Sequence, residues 1–486
     1  KLDCRRGHAQ PSTASCGAVP SGTDGELAAS CKKGHLTRET PGPWVRQRRF
    51  SRLSLARSRN SGHSSQSRTN VAEQRAKSGS SILFGPSRAR DHRIDFLRGL
   101  ALVTIFINHV PGTLLGAYTS RNFGFSDAAE AFVLISGIST GLAYSPFRNP
   151  KPDWRSALRP WKRAFTIWWV QAVIVLVIYL ILAMTQHLPA VAELAAERNV
   201  TPALENPIGL LAPLLLLSHQ FNCADILPLY ILFMLAAPGL IASGARWPRA
   251  LMAASIIMWL AAGLRTLNLP TWPTDKGWFF NPLSWQLLFV AGLLTGLAVT
   301  RGRRTLPVRP FALLLAAVFL CFSALWMQFP ALADRGYDFL WMVQERLGIP
   351  WFLASFDKTY LAPLRLLHIL ALAYVLSAWP YLHRIAGSPW TAFFAILGRN
   401  ALPVFATGTV LAYIIQIIRE ISPPSDKLDI LLIGAGLILQ FLVALARDRL
   451  KRRAPAAVAP APDDGSAGVP GRKRIEVFRR EWRDSK

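Results

Sequence analysis

An all-α membrane bundle of about ten transmembrane helices is the fold class this sequence predicts, and three observations predict it. Charged residues make up 17% of the 486-residue chain, where a soluble domain carries about 25%. The apolar residues gather into blocks of roughly twenty, the helical length that crosses ~30 Å of hydrocarbon. Basic and acidic residues also alternate from loop to loop along the chain, which is how a polytopic protein sets its orientation. The chain divides into a basic tail over 1–90, a membrane domain over 91–446 and a second basic tail over 447–486.

Residues 1–93 hold 18 Lys/Arg against 6 Asp/Glu. Ser, Arg and Gly dominate there, so too little apolar surface can be buried for a core, and the tail is expected to be disordered. It has no apolar stretch long enough for the h-region of a signal peptide. A natural start near Arg88 is the alternative to a full tail. The expected spans are then Phe96–Ala117, Ala131–Phe147, Ala164–Met184, Asp225–Ile241 and Ala250–Leu267. They continue with Leu283–Thr300, Phe311–Gln328, Leu361–Leu382, Ala401–Ile418 and Ile430–Ala446. The run Ile208–Leu217 is too short to span and reads as re-entrant or interfacial.

One set of loops (148–163, 243–249, 301–309 and 383–390) holds 13 Lys/Arg and a single acid, Asp153. The alternate set (116–130, 185–207, 268–282, 329–360 and 419–429) holds 8 basic and 13 acidic residues. The positive-inside rule therefore predicts both termini in the cytoplasm and the acidic loops outside. This distribution also accounts for the net charge of +27 without a nucleic-acid partner. After the last span, Arg447–Arg453 is a stop-transfer run suited to anionic lipid. A Pro/Ala/Gly linker follows, and residues 472–486 could form a basic amphipathic helix on the membrane surface. The five cysteines, Cys4, Cys16, Cys31, Cys223 and Cys321, include no CxxC pair, so no metal site is expected. No internal repeat is evident, which weakens a transporter built from inverted repeats.

An ionisable residue inside a span is costly and points to function. The first span, RIDFLRGLALVTIFINHVPG, carries Arg98 and His109 eleven residues apart. That is three helical turns, so both project from one face, ~16 Å apart along the axis. Histidine can take a proton from a sugar hydroxyl and return one to a leaving thiolate. Arginine offers a fixed fork of donors to a phosphate, carboxylate or carbonyl. The plain alternatives are a hydrogen bond between helices for His109 and snorkelling to headgroups for Arg98.

The next segment, GFSDAAEAFVLISG, places Asp127 and Glu130 on one helix face at the outer mouth of the second span. At that depth Glu130 could orient the His109 imidazole, as the third member of a catalytic triad does. Its competing reading is a carboxylate favoured by the helix macrodipole, with Ser126 as N-cap. Ser136–Gly137 reads as a packing contact between helices. Asp225, Arg265, Asn281, Trp285, Arg365 and His368 fall at the same outer level and could line one outward cavity. Trp272, Trp278, Trp285, Trp341 and Trp351 lie on this side too, where an interfacial aromatic belt is commoner than sugar stacking.

The Arg98/His109 spacing resembles the hallmark of the acyltransferase-3 superfamily of membrane O-acyltransferases. More narrowly, RIDFLRGLALVTIFINHVPG, GFSDAAEAFVLISG, DILPLYILFML, NPLSWQLLFVAG and LGRNALPVF, in that order over residues 90–446, resemble the OpgC family. The resemblance implies an enzyme of the bacterial inner membrane that succinylates periplasmic glucans. It implies acyl-CoA, in particular succinyl-CoA, as donor substrate, with no bound cofactor, and a glucan or other polysaccharide as acceptor. It also implies His109 as the central catalytic residue, and Arg98 as a residue of the donor site or of the helix architecture. Glu130 as support for His109 rests on its depth in the second span, not on the resemblance. Asp127, Asp225, Arg365 and His368 complete the expected substrate-binding set. The rival class is a transporter or flippase for a lipid-linked or anionic substrate, which would also place charges inside the bundle.

Overall fold

The computed structural model describes residues 91–148, 154–197, 200–272 and 277–453, among which there are helices and no strand. Cys4, Cys16, Cys31 and the segment 472–486 lie outside these residues, as does the expected disorder of the N-terminal tail.

The helices in chain order are α1 (His92–Asn108), α2 (Leu114–Ala117), α3 (Ala128–Ala143), α4 (Trp154–Thr185), α5 (Pro189–Glu197) and α6 (Thr201–Glu205). Next come α7 (Pro207–Leu215), α8 (Ile226–Arg246), α9 (Pro248–Leu264), α10 (Pro282–Thr300), α11 (Pro310–Gln328) and α12 (Pro330–Leu347). The last are α13 (Pro363–Ala378), α14 (Leu382–Ala386), α15 (Ala392–Arg399), α16 (Ala401–Glu420) and α17 (Asp426–Arg453). Six of them, α4, α8, α10, α11, α16 and α17, are long and apolar enough to cross a membrane, and α3, α9 and α13 are shorter apolar helices. The chain is thus a polytopic membrane helical bundle, and each expected span falls on a helix.

Proline sets many of the boundaries. It opens α9, α10, α11, α12 and α13 at the first or second helical position, where its missing N–H costs nothing and its fixed φ suits the first turn. The first expected span differs most. It ends at Asn108 instead of reaching Ala117, with His109 as its C-cap. Pro111 cannot continue the ladder and disfavours helix in the residue before it. Gly112 then turns the chain at φ +75° before α2. At the other end of the chain, α17 runs through the whole basic segment to Arg453.

The tightest pairing is α3 against α10, and four glycines make it. Gly137 and Gly141 on α3 face Gly292 and Gly296 on α10, so that a Cβ at any of them would fall 2.2–2.4 Å from a carbonyl oxygen of the partner helix. Small residues at i and i+4 on both helices let the backbones touch, which fulfils the packing expectation for Gly137, while its neighbour Ser136 faces a cavity. A second close pair is α1 with α15, where Gly99 meets the Phe394 carbonyl and Gly398 the Asp95 carbonyl. Around these, α4 packs on α8 and α9 on α10. Large apolar side chains along α4, such as Phe165, Trp169, Val173 and Leu180, remain exposed, as a lipid-facing stripe does.

Candidate functional site

The segment GFSDAAE folds into the N-terminus of α3 through a reciprocal cap. The Asp127 carboxylate accepts the Ala129 N–H at 2.7 Å, and Glu130 Oε2 accepts the Asp127 N–H at 3.0 Å. This capping box satisfies donors that a helix start leaves open. The remaining carboxylate oxygens turn to two cations from the α12–α13 region. Lys358 Nζ lies 2.5 Å from Asp127 Oδ2. Arg365 places Nε at 2.8 Å and Nη2 at 2.5 Å from Glu130 Oε1, with Asp127 Oδ2 at 3.7 Å.

Burial alone would raise the Asp127 carboxyl, but Lys358, the hydrogen bond with Glu130 and Arg365 together hold it well below the usual carboxylate range. Burial pushes nearby Asp357 the other way, above its ordinary value, against hydrogen bonds from its own turn and the pull of Arg365. One turn beyond Arg365, His368 Nδ1 lies 2.7 Å from Ser126 Oγ. The imidazole can come this close because Gly124 has no side chain: a Cβ there would sit 2.1 Å from His368 Nε2. The Trp285 N–H donates to the Lys358 carbonyl at 2.9 Å, which fixes the backbone bearing the lysine.

Toward the other end of α3 a cavity of about 150 Å³ opens between helices. Arg98, Arg163, Ser136, Ser139, Thr140 and Tyr230 line it together with the Phe405 ring. Arg98 Nη2 donates to Ser139 Oγ, and Ser139 donates to the Ile135 carbonyl at 2.8 Å. Among the residues that line it there is no carboxylate: its charged groups are the two guanidinium groups, set beside hydroxyls and among apolar side chains such as Phe132, Leu227 and Leu402. Phe405 forms its wall toward His109, and the two rings meet edge to face at 6.4 Å between centroids.

His109 itself sits on a braced turn. Gln416 Nε2 donates to the His109 carbonyl at 2.5 Å. Arg419 donates to the Pro111 carbonyl at 2.6 Å and pairs with Asp429 at 2.8 Å. Helices α16 and α17 thereby hold the end of α1.

A family model described as the OpgC protein matches residues 90–452. The chain belongs to the OpgC protein family. No curated protein and no solved structure matches it. Membership implies an acyltransferase and, with the apolar helices, a multi-pass membrane enzyme.

The structure brings some of this OpgC chain's expected site residues together and separates others. Asp127, Glu130, Arg365 and, through Ser126, His368 form one cluster. Arg98 lines the cavity, and Asp225 is buried just ahead of α8. The expected Glu130–His109 pairing is replaced: Arg365 and the Asp127 N–H take both Glu130 oxygens, and the ring found against His109 is Phe405. Trp278 and Trp285 are buried and Arg265 is exposed, so they do not line an outward face together. Sequence reasoning missed Lys358, Ser139, Phe405, Gln416 and Arg419. Lys358 lies in the outer segment 329–360 beside two further basic residues, Arg335 and Arg346, and four acids, so no local signal set it apart.

Proposed function

We propose that this OpgC chain transfers a succinyl, or other short acyl, group from acyl-CoA to hydroxyls of a periplasmic glucan or related polysaccharide. The observation that carries the reading is the cavity. It gathers two guanidinium groups and several hydroxyls, with no carboxylate, one ring away from His109. Such a set suits the carboxylate and carbonyl oxygens of a short dicarboxylic thioester, because arginine binds these in fixed geometry.

In the proposed step the acceptor hydroxyl oxygen attacks the thioester carbonyl. A new C–O bond forms, the C–S bond breaks, and the hydroxyl proton passes through the His109 imidazole to the departing thiolate. Arg98 and Arg163 hold the donor, with Arg159 near the entrance. The Asp127–Glu130–Lys358–Arg365 cluster, with Asp225 and His368, forms the acceptor side. There its first role is to keep the outer ends of α3 and α13 together.

Mass spectrometry of periplasmic glucans tests this in strains that lack the gene or carry it as wild type, His109→Ala, or a version starting at Arg88. Wild type should add a succinyl-sized mass that the alanine variant, inserted at normal levels, does not. Glucans unchanged in every strain would remove the acceptor assignment. Full modification by His109→Ala would remove the histidine from the chemistry. A rival transport reading predicts substrate movement with no change in glucan mass.

A further inference from the structure

A groove of about 660 Å³ runs between α11 and α13 on the outside of the bundle, inside the range of ligand-sized sites. The two helices run antiparallel. Near the start of α11, the Tyr374 hydroxyl of α13 accepts the Arg309 N–H at 2.9 Å and donates to the Pro307 carbonyl at 3.0 Å. At the far end, the Phe319 ring of α11 lies 6.3 Å from that of His368, early in α13. The walls have matching sequence patterns. Ala312, Ala316 and Phe319 recur at i, i+4 and i+7 on α11, and Leu367, Ala371 and Tyr374 do the same on α13. These positions share one helix face, and the alanines are too short to close the gap between the backbones.

From Arg309 to Phe319 the groove extends ten residues, ~15 Å at the helical rise. That is about half of a ~30 Å hydrocarbon core, the depth of one leaflet. Its side is open: only 11% of the apolar window of α11 is buried, the smallest share among the six long helices. Its mouth is basic. The exposed Arg309 lines it, exposed Arg303 precedes it, and no carboxylate among the described residues forms an ion pair with Arg309. A basic mouth at the charged end of membrane helices suits an anionic headgroup.

We infer that this groove is a binding site for an anionic phospholipid, an acyl chain lying along the alanines and the phosphate at Arg309. The bound chain wedges α11 against α13, the helix that carries Arg365 and His368. The site is independent of the reaction proposed above.

The full chain, purified in mild detergent and stripped of lipid, is titrated with dioleoylphosphatidylglycerol or dioleoylphosphatidylcholine while its thermal midpoint is followed. The midpoint should rise by several degrees with the anionic lipid and by less than half as much with the zwitterionic one. Arg309→Gln should erase the difference between the lipids. Ala316→Leu and Ala371→Leu, which fill the groove, should erase both shifts. Equal shifts from the two lipids in the wild type, or groove-filled variants that respond like it, overturn the proposal. Spontaneous cross-linking of Ala316→Cys into a dimer in native membranes also overturns it, because a second copy then covers the groove. If both leucine variants fail to fold, the exposed Arg309→Gln change decides alone: loss of headgroup preference supports the site, and retention overturns it.

Discussion

Arg365 is gripped by the one carboxylate among the described residues that has no exposure at all: Glu130 is 0% accessible, and its Oε1 receives both Nε and Nη2. Breaking such a pair from one side leaves an uncompensated buried charge, which costs about 3–5 kcal/mol. Glu130→Gln should therefore lower the thermal midpoint in detergent markedly, and Arg365→Gln should do the same. The double variant should recover part of the loss, because the two sites share one interaction. Thermal unfolding of the three proteins checks this. A Glu130→Gln protein as stable as wild type but inactive would instead return Glu130 to a role beside His109. At this scale the sequence was only half readable. The i, i+3 spacing of Asp127 and Glu130 shows that they share a face, and the capping box follows from it. Their cationic partners come from residues more than two hundred positions later, and no local pattern points to them.

Helices α3 and α10 meet backbone to backbone, and both ends of the candidate site depend on that contact. Asp127 and Glu130 start α3, while Ser136, Ser139 and Thr140 bring the same helix to the cavity. A methyl group at Gly292 would lie 2.3 Å from the Leu134 carbonyl oxygen, and neither backbone can yield without moving its helix. Overpacking of this kind costs about 1–3 kcal/mol. Gly292→Ala should thus lower the thermal midpoint. Gly239→Ala on α8, where nothing lies within 4 Å, should be neutral or slightly stabilising. Equal midpoints for the two variants would mean that α3 and α10 are not in close contact. Most elements were legible in advance because length and hydropathy together specify a helix buried in lipid. Misreadings fell where another force decides. Pro111 and Gly112 stop α1 nine residues short of the expected Ala117, and α12, with Asp334, Arg335, Asp338 and Glu345, is too charged for any hydropathy window.

For the whole molecule, the arrangement of charge makes a prediction about sidedness. The loop ahead of α11 contains Arg301, Arg303, Arg304 and Arg309, and α17 ends in Lys451, Arg452 and Arg453. The segment between α16 and α17 is instead flanked by Glu420 and Asp426. The positive-inside rule places the first two in the cytoplasm and the last outside. Thr305→Cys and Ser425→Cys, each labelled with a membrane-impermeant maleimide on intact and on permeabilised cells, read this directly. Ser425→Cys should label in intact cells and Thr305→Cys only after permeabilisation. Labelling of both from one side would require an even number of crossings between α11 and α16, and the order of ten spans would fail. The expected outcome also places the two halves of the site. The Arg98 cavity then opens on the cytoplasmic side, and the Arg365–Glu130 cluster lies at the outer ends of α3 and α13. At 16 residues each, those helices are only ~24 Å long, short of a ~30 Å hydrocarbon core. If the bilayer thins around these short helices, the acyl group of the proposed reaction, held at Arg98, would have less than a full membrane to cross before reaching an acceptor hydroxyl at His109.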